Sequence, residues 1–231
     1  KLPELAWLAF AGNPFCAERD PHSNFRKVSI ADLDLGEPLG RGASGVISRA
    51  TWQFNRYDLD SEVAVKVFHG DITSDGYPED ELDACLSVPE HPNLVGALAR
   101  IQESESSGLV MRLIPADYYN LGQPPSLESC TRDVFTQNQS LTQSQADALV
   151  QQMTGMVEHL EDAEVCHGDL YAHNTLVAPE GNHLLFGDFG AASKYHHLND
   201  KQKSGIRRIE RRSLAYFVED VQSLVGKSRF D

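Results

Sequence analysis

The stretch "VCHGDLYAHNTLV", Val165–Val177, decides how the chain is read. It places His167, Asp169 and Asn174 in the spacing HxDxxxxN. An aspartate two positions after a histidine is common by chance, so the fragment takes its meaning from what surrounds it. Downstream, inside "HLLFGDFGAAS", the triplet Asp188, Phe189 and Gly190 follows. Upstream, "LGRGASGV" sets Gly40, Gly42 and Gly45 in a GxGxxG spacing followed by Val46, and "EVAVKVF" places Lys66 inside an otherwise apolar run.

Each residue type suits one kind of chemistry. Glycines let backbone approach a phosphate without Cβ obstruction and adopt turns that other residues resist. Because these glycines are flanked by strand-like runs and do not open a helix, a phosphate-covering loop of a sheet fits better than a dinucleotide fold. Taken alone, a hairpin turn fits equally well. Lys66 is either a solvated edge residue or a cation aimed into a cleft. In a cleft it needs a counter-carboxylate, for which Glu81 is the candidate, with Glu79, Asp80 and Asp83 as neighbours that leave the choice open.

Taken in order, glycine loop, Lys66, Glu81, HxD with Asn174, and DFG resemble the protein-kinase superfamily from about Val28 to the C-terminus. With the repeat-like spacing of Leu5, Leu8, Phe10 and Asn13 at the start and the stretch "RIERRSLAYFVEDV", the chain resembles most a bacterial leucine-rich-repeat protein kinase. The resemblance implies an α+β, bilobal fold with a β-rich N-lobe and a shortened helical C-lobe, binding ATP with Mg²⁺ between the lobes. It also implies roles: Asp169 accepts the proton of the substrate hydroxyl, Lys66 orients the α/β-phosphates, and Asn174 and Asp188 hold Mg²⁺. Gly40, Gly42, Gly45, Val46 and Ala64 then line the nucleotide. "SGLVMRLIP" resembles the strand leading into the hinge, with Met111 as gatekeeper and backbone of Arg112 and Ile114 facing adenine. Phe189 is expected to pack.

Several positions depart from that pattern. Gly168 stands where related kinases carry the arginine that receives an activation-segment phosphate, which argues against such control. Tyr171 and His173 match neither the Ser/Thr nor the tyrosine signature. "HGDLYAHN" also resembles the loop of aminoglycoside and choline kinases, so the acceptor hydroxyl belongs to a protein or to a small molecule; the other alternative is a pseudokinase scaffold without turnover, which the short C-lobe favours and the intact Lys66, Asp169, Asn174 and Asp188 oppose. No APE-like triplet follows Asp188. "IERRSLAYFVEDV" is read as the following helix, with Glu210 in place of an aspartate, which gives a short activation segment from Asp188 to Glu210.

The bulk properties set limits. At 231 residues and 41% hydrophobic, the chain can bury a core, and its net charge of −14 argues against nucleic acid as a partner. Cys16, Cys85, Cys130 and Cys166 form no CxxC pair, so a reducing cytoplasm is expected, and no apolar run reaches the roughly 18 residues of a membrane span. The chain opens on Lys1 and reads as a piece of something longer. In residues 1–26, Leu5, Leu8, Phe10 and Asn13 have the spacing of a terminal leucine-rich repeat, which requires further repeats upstream. Residues 27–115 read as N-lobe, with antiparallel strands and one helix carrying Leu82, Cys85, Leu86 and Val88. Residues 116–231 read as C-lobe, with a helix capped by Ser140 or Thr142 and striped by Ala148, Leu149, Met153, Met156, Val157 and Leu160. Adjacent Cys166 and His167 point apart and make no dyad. His196 and His197 read as solvated, the run Asp75 to Asp83 as an acidic helix start, and Ser193, Tyr195 and Ser204 as ordinary loop residues.

Overall fold

The run "EVAVKVF" forms a central strand buried on both faces, and its period of two sorts the residues. Val63, Val65 and Val67 turn to a small core under the sheet, while Ala64 and Phe68 turn to the main core and carry Lys66 on their side. The computed structural model describes residues 4–226 apart from 17, 23, 43, 56–59, 71, 73–75 and 104–106. Asp75 and the terminal residues 1–3 and 227–231 therefore lie outside the described residues.

In chain order the strands and helices are β1 (Lys27–Val28), β2 (Leu33–Arg41), β3 (Gly45–Trp52), β4 (Glu62–Phe68), α1 (Pro78–Ser87), β5 (Ala97–Gln102), β6 (Ser107–Arg112), β7 (Tyr119–Asn120), α2 (Gln143–Asp162), β8 (Val165–Cys166), β9 (Thr175–Val177), β10 (Leu184–Phe186), β11 (Ser193–Lys194) and α3 (Asp200–Ser223). The first six strands form one sheet in the order β1-β5-β6-β4-β3-β2, antiparallel except for β1 against β5. Helices α2 and α3 follow in the later part, which gives the α+β bilobal arrangement expected of the sequence.

Local chemistry sets the helix ends. α1 begins with Pro78, which needs no N–H at the first helical position, followed by Glu79, Asp80 and Glu81 at the positive end of the dipole. Thr142 caps α2, and Gln145 returns the bond in a capping box. The apolar stripe of α2 runs through Ala146, Leu149, Met153, Met156, Val157 and Leu160; Ala146 is buried where Ala148 was expected, because residues three and four apart share a face. α3 starts ten residues before the expected Glu210, since Asn199 and Gln202 form their own capping box ahead of Asp200. The activation segment thus ends at Asn199.

Asn93, of "HPNL", joins the two halves. Its amide donates to the Leu184 carbonyl at 2.9 Å and to Gln152 at 2.7 Å, while backbone bonds link Val95 to Phe186 and Phe186 to Asn93. The N-terminal segment also docks on the later half. Asn13 does satisfy turn backbone, donating to the Phe10 carbonyl at 2.8 Å. Phe10, however, packs with Cys166, Tyr195 and Ile206, and Leu8 joins them, so these apolar residues face the kinase-like part.

Met153 is fully buried in the main core. Met153→Ala is expected to lower unfolding free energy by about 2–5 kcal/mol, read from the urea midpoint at unchanged slope.

Candidate active site

A cavity of about 790 Å³ opens between the sheet and the helical part, lined in part by Gly40, Gly42, Gly45, Lys66, Asn174 and Asp188. Lys66 reaches it because it faces the same way as Ala64 on β4. Strand register fixes its neighbours: Ile47 and Leu109 lie opposite Lys66, and Met111 lies opposite Ala64. Ala64, Met111, Arg112 and Ile114 all line the cavity. Val46 does not. It pairs with Val67 on the other face, and Ile47 takes the place over the cleft that the sequence reading gave to Val46.

Among the acidic residues of α1, the structure pairs Glu81 with Lys66 through its Oε1. Both are buried, so the pair sits in a poorly solvated setting where each charge needs the other. Asp80 and Asp83 lie on α1 but engage Arg19, and His22 with Lys194, respectively.

The loop between β8 and β9 is built by hydrogen bonds from behind. Asn174 Nδ2 donates to the carbonyl of Asp169 at 3.0 Å and to its Oδ2 at 2.8 Å, which fixes the carboxylate. His167 is fully buried, its Nε2 donating to the Gly187 carbonyl at 3.0 Å and its ring against Phe186 and Phe189. Burial lowers its pKa in spite of Asp169 and Asp188 nearby, so it is neutral and ties the loop to the DFG turn. Phe189 packs in the main core, as expected, while Asp188 adopts a left-handed conformation (φ 66°) and lines the cleft.

Two carboxylates that sequence reading did not place there anchor this loop. Asp133 accepts from the Ala172 and His173 amides at 2.5 and 3.2 Å and from His173 Nδ1 at 2.7 Å. It comes from an irregular loop with no periodicity to mark it. Glu210 of α3 accepts from Cys166 Sγ at 2.7 Å and, weakly, from Gly168 N at 3.4 Å. Burial drives the Glu210 carboxyl up, and burial beside Glu210 drives the Cys166 thiol well up too. Cys166 and His167 thus point to different partners and form no dyad. His196 and His197 are exposed. Ser193 and Tyr195 are not ordinary loop residues: both are buried, because the short segment packs β11 against β8. Ser204 is exposed on α3.

The chain belongs to the protein tyrosine and serine/threonine kinase family, whose model matches residues 33–216. It is 30% identical over 172 residues to a probable serine/threonine-protein kinase of Dictyostelium discoideum, covering 73% of this chain and 11% of that protein. It is 30% identical over 184 residues to the epidermal growth factor receptor of Apis mellifera, covering 78% of this chain and 13% of the receptor. To Aurora/IPL1-related protein kinase 2 of Caenorhabditis briggsae it is 22% identical over 167 residues, 71% of this chain and 50% of that one. The chain therefore spans half or less of the length of these relatives. Among the described residues, no helix is long and apolar enough to cross a membrane.

Two measurements check the buried anchors. Because Glu210 has its folded pKa raised above the ordinary 4.5, its favourable contribution is full below that value and is lost as pH rises through the folded pKa. Glu210→Gln is therefore expected to gain stability relative to the parent as pH rises across that interval, in unfolding titrations at stepped pH. A thiol-reactive reagent is expected to label exposed Cys130 quickly and to spare Cys166 and Cys85, whose thiol burial pushes up to about 12. Mass spectrometry of the native protein reads this directly.

Proposed function

We propose that the chain is a protein kinase domain that transfers the γ-phosphoryl group of ATP to a hydroxyl, with Mg²⁺. The observation that carries the reading is the paired Lys66 and Glu81 on the same cleft as Asn174 and Asp188. A buried lysine held by a carboxylate is a fixed cation for α/β-phosphates, and Gly40, Gly42 and Gly45 leave backbone free to approach them. The donor set suits Mg²⁺: Asp188 and Asn174 offer hard oxygen ligands, with the rest left to phosphate and water. When bound, the nucleotide and cation supply the transferable phosphoryl group and the charge that offsets its buildup.

The chain's own residues then do the positioning. Asn174 holds Asp169 so that its carboxylate can take the proton of the attacking hydroxyl. Met111, Arg112 and Ile114 line the cleft, and would hold the adenine of a bound nucleotide, Met111 from behind and Arg112 and Ile114 through their backbone. The acceptor is read as a protein hydroxyl, following the family, and the Ser/Thr-named and receptor relatives leave the residue type open. One observation favours a small-molecule acceptor as the second reading: the activation segment ends at Asn199, leaving little platform for a peptide. An array of leucine-rich repeats upstream of Lys1, in a bacterial cytoplasmic protein, belongs to this proposal; the Leu5, Leu8, Phe10 and Asn13 spacing suggests it, while Leu8 and Phe10 themselves pack against the later half of this chain.

The test is radiolabelled transfer from ATP with Mg²⁺ to a generic protein mixture and to aminoglycoside and choline-like alcohols. Asp169→Asn is expected to lose about 10²- to 10⁴-fold in rate while still binding ATP. Equal labelling by both chains, or no ATP binding by the parent, rejects the reading.

A further inference from the structure

The N-terminal segment is one of the two walls that close in on Gly168. Its φ is +77°, and a Cβ there would come within 2.6 Å of the Ala191 carbonyl oxygen and 2.9 Å of that of Leu8. The space that an arginine side chain needs is filled by backbone of the activation segment on one side and of residue 8 on the other.

The same segment reaches each element that must be aligned around the cleft. Trp7 lies flat on Tyr171, ring centroids 4.5 Å apart, with Tyr216 of α3 also stacked against it, and its Nε1 donates to the Leu170 carbonyl at 3.1 Å. Phe10 N and Ala11 N both donate to Ser193 Oγ, at 3.0 and 2.9 Å, inside the activation segment. Farther on, Arg19 pairs with Asp80 at 2.6 Å, while Asp20 N and His22 Nε2 reach Asp83 Oδ1 at 3.0 and 2.7 Å. The other oxygen of Asp83 holds Lys194 of β11 at 2.7 Å. Asp83 therefore joins three pieces at one buried carboxylate: the N-terminal segment, the helix that carries Glu81, and the activation segment. The hydroxyls of that segment are committed as well, Ser193 to two amides and Tyr195 to the Glu161 carbonyl at 3.3 Å.

We propose that the N-terminal segment, through residues 7–11 and 19–22, is a built-in positioning strap that holds α1 and the activation segment in the aligned arrangement without a phosphate on that segment. In rate terms this rests on the phosphotransfer reading above. Its structural half does not, because alignment is measurable without turnover.

The experiment compares the full chain with Ser193→Ala, Asp83→Asn and Trp7→Ala. Three quantities are read: kcat against KM for ATP, hydrogen exchange of residues 188–195, and the effect of prior phosphatase treatment on the parent. Ser193→Ala removes one oxygen and Trp7 is only half-buried, so at least these variants are suited to folding should Asp83→Asn fail. The expected result is a fall in kcat of about 5- to 150-fold, the usual size of a coupling between sites, with KM for ATP unchanged. Faster exchange at 188–195 is expected alongside it, and no loss of parental rate after phosphatase. Variants with parental kcat and parental exchange overturn the proposal, as do variants faster than the parent, which would make the segment a cover over the acceptor site. Loss of parental rate after phosphatase overturns the phosphate-free part. If instead the parent binds no ATP, or Asp169→Asn matches it, the phosphotransfer reading fails while the exchange data still decide whether the strap holds the segment.

Discussion

The arrangement of the cleft hangs on one buried ion pair, Lys66 with Glu81. Breaking such a pair by removing one partner costs about 3–5 kcal/mol, because the survivor is left charged and dehydrated. Lys66 cannot leave its face of β4, since that face is set by the alternation of the strand. Glu81 must therefore come to it, which requires α1 to dock with its acidic first turn inward. Phe189 fills the core beneath this helix together with Ala84 and Cys85, so the pair, the helix and the DFG turn are satisfied together or not at all.

The carboxylates divide by depth. Asp188 is exposed in the cleft and Asp169 is half-buried, whereas Asp133 and Glu210 are buried, Asp133 with both oxygens and Glu210 with Oε2 accepting from donors of the loop they support. A loop held this way needs no regular structure of its own. His167 fits the same scheme: buried and neutral, it contributes a single directed hydrogen bond instead of a charge.

Much of this was legible in the sequence because it depends on short-range patterns. The order of motifs gave the family, the alternation in "EVAVKVF" gave the strand, and the helical spacing in "ADALVQQMTGMVEHL" gave α2. What was not legible depends on contacts distant along the chain. Asp133 sits 39 residues before the amide it caps, and Ser193 lies 183 residues from Phe10. The Val46 expectation missed because facing is decided by register across β3 and β4, which a glycine count does not supply. The helix α3 begins at Asp200 and not at Glu210 because Asn199 and Gln202 satisfy its first amides with a capping box of their own. The repeat-like spacing of Leu5, Leu8 and Phe10 marks which residues turn inward, but it does not name the surface they meet.

Strand β2 lies at one edge of the sheet and exposes Leu35 and Leu39, the kind of row onto which a foreign strand can add. Pro38 offers no N–H there, and the register slips on both sides of it, between Leu35 and Pro38 and between Pro38 and Gly40. An incoming chain thus meets an interrupted ladder at the strand that leads into the glycine loop, which makes that edge a poor template for a further strand.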